Sequence, residues 1–148
     1  MKVLVDTPVW SLALRRSGSL PPEDQILVDE FYELIKEDRV VLLGPVRQEL
    51  LSGIPNYDQF SALKEKLQAF EDMPLKRETY EMAAEFYNTC RKAGVQGSQI
   101  DFLICAASVG TEIPIFTTDK DFSLYAKHIK LSLYHPRKTK DLIFHFLK

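Results

Sequence analysis

The sequence predicts an α/β domain organised around a parallel sheet with right-handed crossovers. Three observations carry that reading. Short apolar runs, Val3-Leu4-Val5, Val40-Val41-Leu42-Leu43 and Ile115-Phe116-Thr117, are too brief for helices and too apolar for exposed strands. Segments with apolar residues at helical spacing separate them, as parallel strands require. Acidic residues stand where the first and third runs stop, and the carboxyl edge of a parallel sheet is where such folds bind ligands.

The elements follow in order. After the first run, Thr7-Pro8 supplies a capping residue and a proline suited to a first helical turn. The helix it opens carries Val9, Leu12 and Ala13 and ends near Arg16, before the turn-rich Ser17-Gly18-Ser19-Leu20-Pro21-Pro22. A second helix, about Glu23 to Glu37, places Ile26, Leu27, Phe31, Leu34 and Ile35 on one stripe and acids on the other. Gly44-Pro45 opens a third helix, which Gly53 closes. Phe60, Leu63, Leu67 and Phe70 mark a fourth, and Met73-Pro74-Leu75 reads as a short edge segment. Met82, Ala83, Phe86, Tyr87 and Cys90 define a longer helix capped by Gly94. Ser98 is an N-cap for a helix to about Val109, where Gly110 fits the end. Asp119-Lys120-Asp121-Phe122 starts a short helix, and Leu131–Leu133 alternates as a last core strand.

At 148 residues the chain fits one domain over residues 1–148. No stretch reaches the ~18 uninterrupted apolar residues of a membrane helix. The start lacks the apolar core and cleavage site of a signal peptide, so a cytoplasmic location is expected. Cys90 and Cys105 lack CxxC spacing and read as small buried hydrophobes. His128, His135 and His145 show no zinc-helix spacing. The net charge of −2 gives no global footprint for nucleic acid, but its distribution is uneven. Leu20 to Asp38 holds seven acids against Lys36, whereas from Lys120 onward seven bases face Asp121 and Asp141. A basic carboxyl end suits either a polyanion or a solvated surface.

Four acids stand out: Asp6 and Asp119 after apolar runs, Glu49 one turn into the third helix, and Asp101 inside Ile100-Asp101-Phe102-Leu103-Ile104. Each has a structural explanation as a helix cap, a solvated side chain or a first-turn charge. Their convergence on one sheet edge favours an oxygen-rich site for Mg²⁺ or Mn²⁺.

The stretches Val5-Asp6-Thr7-Pro8-Val9-Trp10, Glu49-Leu50-Leu51-Ser52-Gly53, Asp101-Phe102-Leu103-Ile104-Cys105-Ala106-Ala107-Ser108 and Phe116-Thr117-Thr118-Asp119-Lys120-Asp121-Phe122 together resemble a PIN-domain ribonuclease. The resemblance is greatest to VapC-type toxins of toxin–antitoxin pairs and covers nearly the whole chain. It implies a three-layer α/β/α fold with a mostly parallel central sheet and a metal-dependent endoribonuclease leaving 5′-phosphate and 3′-hydroxyl ends. By the same resemblance Asp6, Glu49, Asp101 and Asp119 are the metal-binding, catalytic acids. Asp121 is an accessory acid, and Thr7 and Thr117 orient the carboxylates. Cys105 and the apolar tail Leu142 to Leu147 depart from the family pattern. An RNA substrate, a homodimer and a cognate antitoxin are the implied partners, and no membrane is.

Arg15, Arg16, Lys120 and Lys127 are the candidate phosphate contacts. The first helix (Val9, Trp10, Leu12), the acidic second helix and the tail Leu142 to Leu147 are the apolar and charged material available to partners, with the core as the competing place for Trp10. Two other classes compete with the nuclease. A phosphoacceptor receiver domain needs an aspartate ending a mid-chain strand, where this chain has Gly44-Pro45. A non-catalytic RNA-binding or scaffolding module of the same fold usually lacks some of the acids, and all four are present.

Overall fold

The computed structural model describes residues 1–14 and 18–137. Arg15, Arg16 and the tail Leu142 to Leu147 lie outside the described residues. The elements run β1 (Val3–Val5), α1 (Thr7–Leu14), α2 (Pro22–Lys36), β2 (Val40–Val41), α3 (Gly44–Leu51), α4 (Tyr57–Leu67), α5 (Arg77–Lys92), α6 (Gln99–Thr111), β3 (Ile115–Phe116) and α7 (Asp121–Tyr125). The fold is a three-layer α/β/α arrangement around the parallel sheet β2-β1-β3.

All three residues of β1 are fully buried, because the strand is central and both its faces are covered. It pairs Val3 with Val40 and Leu4 with Val41 on one side, and Leu4 with Ile115 and Val5 with Phe116 on the other. Single parallel bridges extend the sheet: Leu42 to Asp72, and Ile115 to Leu133. Ile115 sends its own N–H and carbonyl to Ser132 and Tyr134, while the carbonyls of Pro114 and Phe116 serve β1, so the 133 segment lies on the outer edge of β3.

Several sequence expectations shift at this level. The run Val40–Leu43 ladders with β1 only through Val41, because Leu42 turns its carbonyl to Met73 and Leu43 is already the N-cap of α3. The expected strand Leu131–Leu133 is one bridge rather than a ladder. Thr7 is the first residue of α1 rather than its cap; the first-turn N–H of Val9 goes to the Asp6 carbonyl. Helix α6 runs past Gly110 to Thr111, and Glu112, at φ 58°, makes the left-handed exit. Gly53 and Gly94 do take the positive φ their positions demand.

The core is continuous. Trp10 is 2% exposed, donates its indole N–H to the Val5 carbonyl at 3.2 Å, and meets Phe31 and Phe70 edge-on with centroids 4.8 and 5.0 Å away. Val9 is buried beside it. Neither is surface available to a partner, so of the three α1 residues proposed for that role only Leu12 remains partly accessible. Cys90 and Cys105 are buried and free, and burial pushes both thiols up, as expected of inert core cysteines.

The acidic stripe of α2 is not all solvated. Glu30 is 2% exposed and takes hydrogen bonds from the Arg137 backbone N–H and from its guanidinium, with Nη2 at 2.8 Å. Arg137 also reaches Glu37 at 2.6 Å, and this clamps the last described residue onto α2. Among the described residues no helix is long and apolar enough to cross a membrane.

Candidate functional site

The acids gather at the carboxyl edge of the sheet, and the backbone explains why. Asp6 is the residue at which β1 stops: its N–H still pairs with the Phe116 carbonyl at 2.9 Å, while its carbonyl already serves α1. β3 ends at Phe116, and three residues later Asp119 accepts the Asp121 N–H at 2.9 Å, fixing the entry to α7. β2 passes almost directly into α3, whose second turn carries Glu49. Asp101 stands in the first turn of α6, where the Ser98 hydroxyl caps its N–H at 3.1 Å.

Two threonines tie these elements together. The Thr117 hydroxyl donates to Asp6 Oδ2 at 2.8 Å and accepts the Asp119 N–H at 3.0 Å, so one side chain serves two acids. The Thr7 hydroxyl donates to Glu49 Oε2 at 2.6 Å, and the Thr7 N–H donates to Asp6 Oδ1 at 2.8 Å. Both threonines expected to orient carboxylates therefore hold one.

Sequence reasoning missed a third donor. Tyr125, fully buried, donates its hydroxyl to Asp101 Oδ2 at 2.7 Å. A tyrosine on the apolar stripe of a short helix reads as core from sequence, and its ring is core. Gly97 lies against that hydroxyl; it lacks a positive φ, so its bareness serves close approach rather than a turn, a difference its loop position hides in the sequence.

The electrostatics are those of an uncompensated anionic cluster. Burial pushes the Asp6 carboxyl up from 3.8 to about 6; the Thr117 hydroxyl and Thr7 N–H oppose this, and the Asp101 and Glu49 charges add to it. Burial likewise raises Asp101, against its hydrogen bonds to Tyr125 and Ser98 and with help from Asp119 and Asp121. Among the described residues none of these five acids has a salt-bridge partner; the ion pairs involve other carboxylates. Also among the described residues, no three His, Cys, Asp or Glu side chains already stand together as a coordination set. The acids sense each other's charge without forming a finished ring of ligands. The donor set is nevertheless hard, anionic and oxygen-only, which suits Mg²⁺ or Mn²⁺ and not a soft ion.

Of the candidate phosphate contacts, Lys120 is exposed and directly follows Asp119, and Lys127 is exposed just beyond α7. His128 and His135 are exposed, and His145 lies outside the described residues.

Residues 3–128 match the family model of the PIN domain, and the chain belongs to that family. The structure of FitAcB from Neisseria gonorrhoeae is similar at TM-score 0.72 and 22% identity, over 90% of this chain and 97% of that one. VapBC2 from Rickettsia felis, bound to a DNA fragment from their promoter, is similar at TM-score 0.70 and 14% identity, over 90% and 98%. VapBC-5 from Mycobacterium tuberculosis, a member of the VapBC family of toxin-antitoxin systems, is similar at TM-score 0.63 and 18% identity, over 90% and 98%. At these identities the likeness establishes the fold. No curated protein matches the sequence.

Proposed function

We propose that this PIN-domain chain is a metal-dependent endoribonuclease acting as the toxin of a type II toxin–antitoxin pair. The observation that carries the reading is the desolvated Asp6 carboxyl, held by two threonine contacts and facing the charges of Asp101 and Glu49 with no salt-bridge partner among the described residues. Simple structural use does not account for it, since a buried carboxylate beside other negative charges costs stability unless something positive joins it. PIN domains are generally nucleases, which makes a hydrolase acting on nucleic acid the coarse expectation for the fold.

Asp6, Glu49, Asp101 and Asp119 would hold Mg²⁺ or Mn²⁺, with Asp121 assisting from outside. When bound, such an ion lowers the pKa of a coordinated water and neutralises charge on the phosphoryl transition state. The remaining work belongs to the chain. Thr117 keeps Asp6 oriented and fixes the backbone at Asp119, and Thr7 keeps Glu49 turned toward α1. Lys120 and Lys127 offer cations to the phosphate backbone. Without a cation the anionic edge would disfavour RNA, so the same acids that would hold an ion also set the charge that substrate meets.

The toxin assignment rests on the resemblance and on the fold shared with VapBC-5 of a toxin–antitoxin system. It carries two further proposals: a cognate antitoxin covers the acid edge, and the chain forms a homodimer. The test is incubation of the purified protein with RNA in Mn²⁺ and in EDTA, followed by mapping of the cut ends. Internal cuts with 5′-phosphate ends that appear only with Mn²⁺ are expected. RNA retained intact but bound would instead identify the non-catalytic scaffolding module.

A further inference from the structure

The geometry points to Tyr125 as a positioning residue for the proposed metal centre: its hydroxyl, seated over Gly97, fixes the Asp101 carboxylate relative to Asp119. The inference rests on the metal-dependent reading above and adds a residue to it.

Asp101 is half-buried in the first turn of α6, with a carboxylate free to rotate unless something holds it. Tyr125 supplies the hold. Its ring is wedged between Phe102, 4.9 Å away, and Phe122, 5.3 Å away, so the hydroxyl has little freedom to leave Asp101 Oδ2 at 2.7 Å.

The contact also joins two elements. Asp119 accepts the Asp121 N–H at the entry to α7 and Tyr125 ends that helix, so the bond from Tyr125 to Asp101 ties the helix that follows Asp119 to the helix that carries Asp101. Two acids carried by different elements are thereby set in one frame. Residues that orient metal-binding carboxylates typically change metal affinity ~10–100-fold when removed.

Gly97 is shaped for this contact. A Cβ there would overlap the hydroxyl, stand 2.7 Å from the ring carbon bearing it, and press on Phe102 at 2.9 Å. Tyr125 is fully buried with no vacant space to turn into, so relieving the overlap pushes the ring and its hydroxyl off their present seat. An alanine at this position would therefore dislodge the hydroxyl without touching any acid.

The competing explanation is that Asp101 merely satisfies a buried phenol. Calorimetric titration with Mn²⁺ separates the two, because phenol satisfaction has no bearing on ion affinity. Tyr125→Phe and Gly97→Ala are each expected to weaken Mn²⁺ binding at least ~10-fold. The melting temperature of metal-free Tyr125→Phe should fall by no more than about 12 °C, as one lost hydrogen bond to a carboxylate allows in a domain of this size. Tyr134→Phe removes another buried phenol hydroxyl, one without a hydrogen-bond partner among the described residues, and should leave Mn²⁺ affinity unchanged. Near-UV circular dichroism checks the packing of each variant, and Gly97→Ala carries the test if Tyr125→Phe misfolds. Wild-type affinity in both Tyr125→Phe and Gly97→Ala overturns the positioning role while leaving the metal site standing. A wild type that takes up no Mn²⁺ overturns both readings, and shows itself in the wild-type titration alone.

Discussion

At Asp6 two effects of opposite sign meet, and their sizes decide what a substitution does. Raising its carboxyl from 3.8 to about 6 corresponds to on the order of 3 kcal/mol of folded-state penalty for the ionised form. The folded state therefore holds its proton more tightly than the unfolded chain. Below about pH 4 both states are protonated and no penalty applies; between about 4 and 6 stability falls as pH rises, and above about 6 the penalty is complete. Asp6→Asn removes that penalty and loses one of two hydrogen bonds, since an amide oxygen can accept from only one of the two opposed donors, at about 1 kcal/mol. The metal-free variant should therefore melt several degrees higher than wild type at pH 7.5, with the gain shrinking toward pH 4. A variant that melts lower at pH 7.5 would mean Asp6 is already compensated. The acids were legible in the sequence because a carboxylate closing an apolar run is conspicuous. Tyr125 was not, because its ring obeys the core pattern and only the hydroxyl at its tip departs from it.

Among the elements, α2 and α6 show where pattern reading stops. The apolar stripe of α2 is visible in the sequence, and so is its acidic face, but nothing local distinguishes Glu30 from its solvated neighbours; its partner Arg137 is more than a hundred residues away. The pair is asymmetric, with Glu30 almost fully buried and Arg137 half exposed. Arg137→Ala should accordingly cost about 3 kcal/mol by leaving a buried carboxylate with only a backbone N–H. Urea denaturation measures this, and a loss under about 0.5 kcal/mol, the range of ordinary surface substitutions, would show that the clamp is not structural. At the exit of α6 the sequence offered Gly110, yet the left-handed residue is Glu112, because the helix continues through Gly110 to Thr111 before it turns out. Glu112→Gly should raise stability by up to about 1 kcal/mol by relieving the Cβ in that conformation, an increase readable in the same denaturation experiment. The short strands were the hardest to place. Each is two or three residues of a ladder, so its limits are set by which neighbour takes the next carbonyl, as Leu42 shows in turning to Met73.

For the whole molecule, alternating strands and helices sufficed to give a parallel α/β fold, and the fold brings acids from β1, α3, α6 and the β3–α7 turn to one edge. Their grouping was thus readable before any coordinates, whereas their mutual tethering through Thr7, Thr117 and Tyr125 was not, since a hydroxyl's partner is a property of the packed molecule. Because the cluster accumulates charge that no side chain among the described residues neutralises, Mn²⁺ at millimolar concentration should raise the melting temperature at matched ionic strength, and by more at pH 7.5 than at pH 5. No rise at either pH would argue against ion binding at this edge. The central claim is that these carboxylates are nuclease machinery, and it is tested most directly by comparing single-turnover RNA cleavage in Mn²⁺ by the wild type and a folded Asp6→Asn protein. The account predicts a rate reduced at least about a hundredfold, close to 2.7 kcal/mol of barrier, while wild-type cleavage by that variant would contradict it.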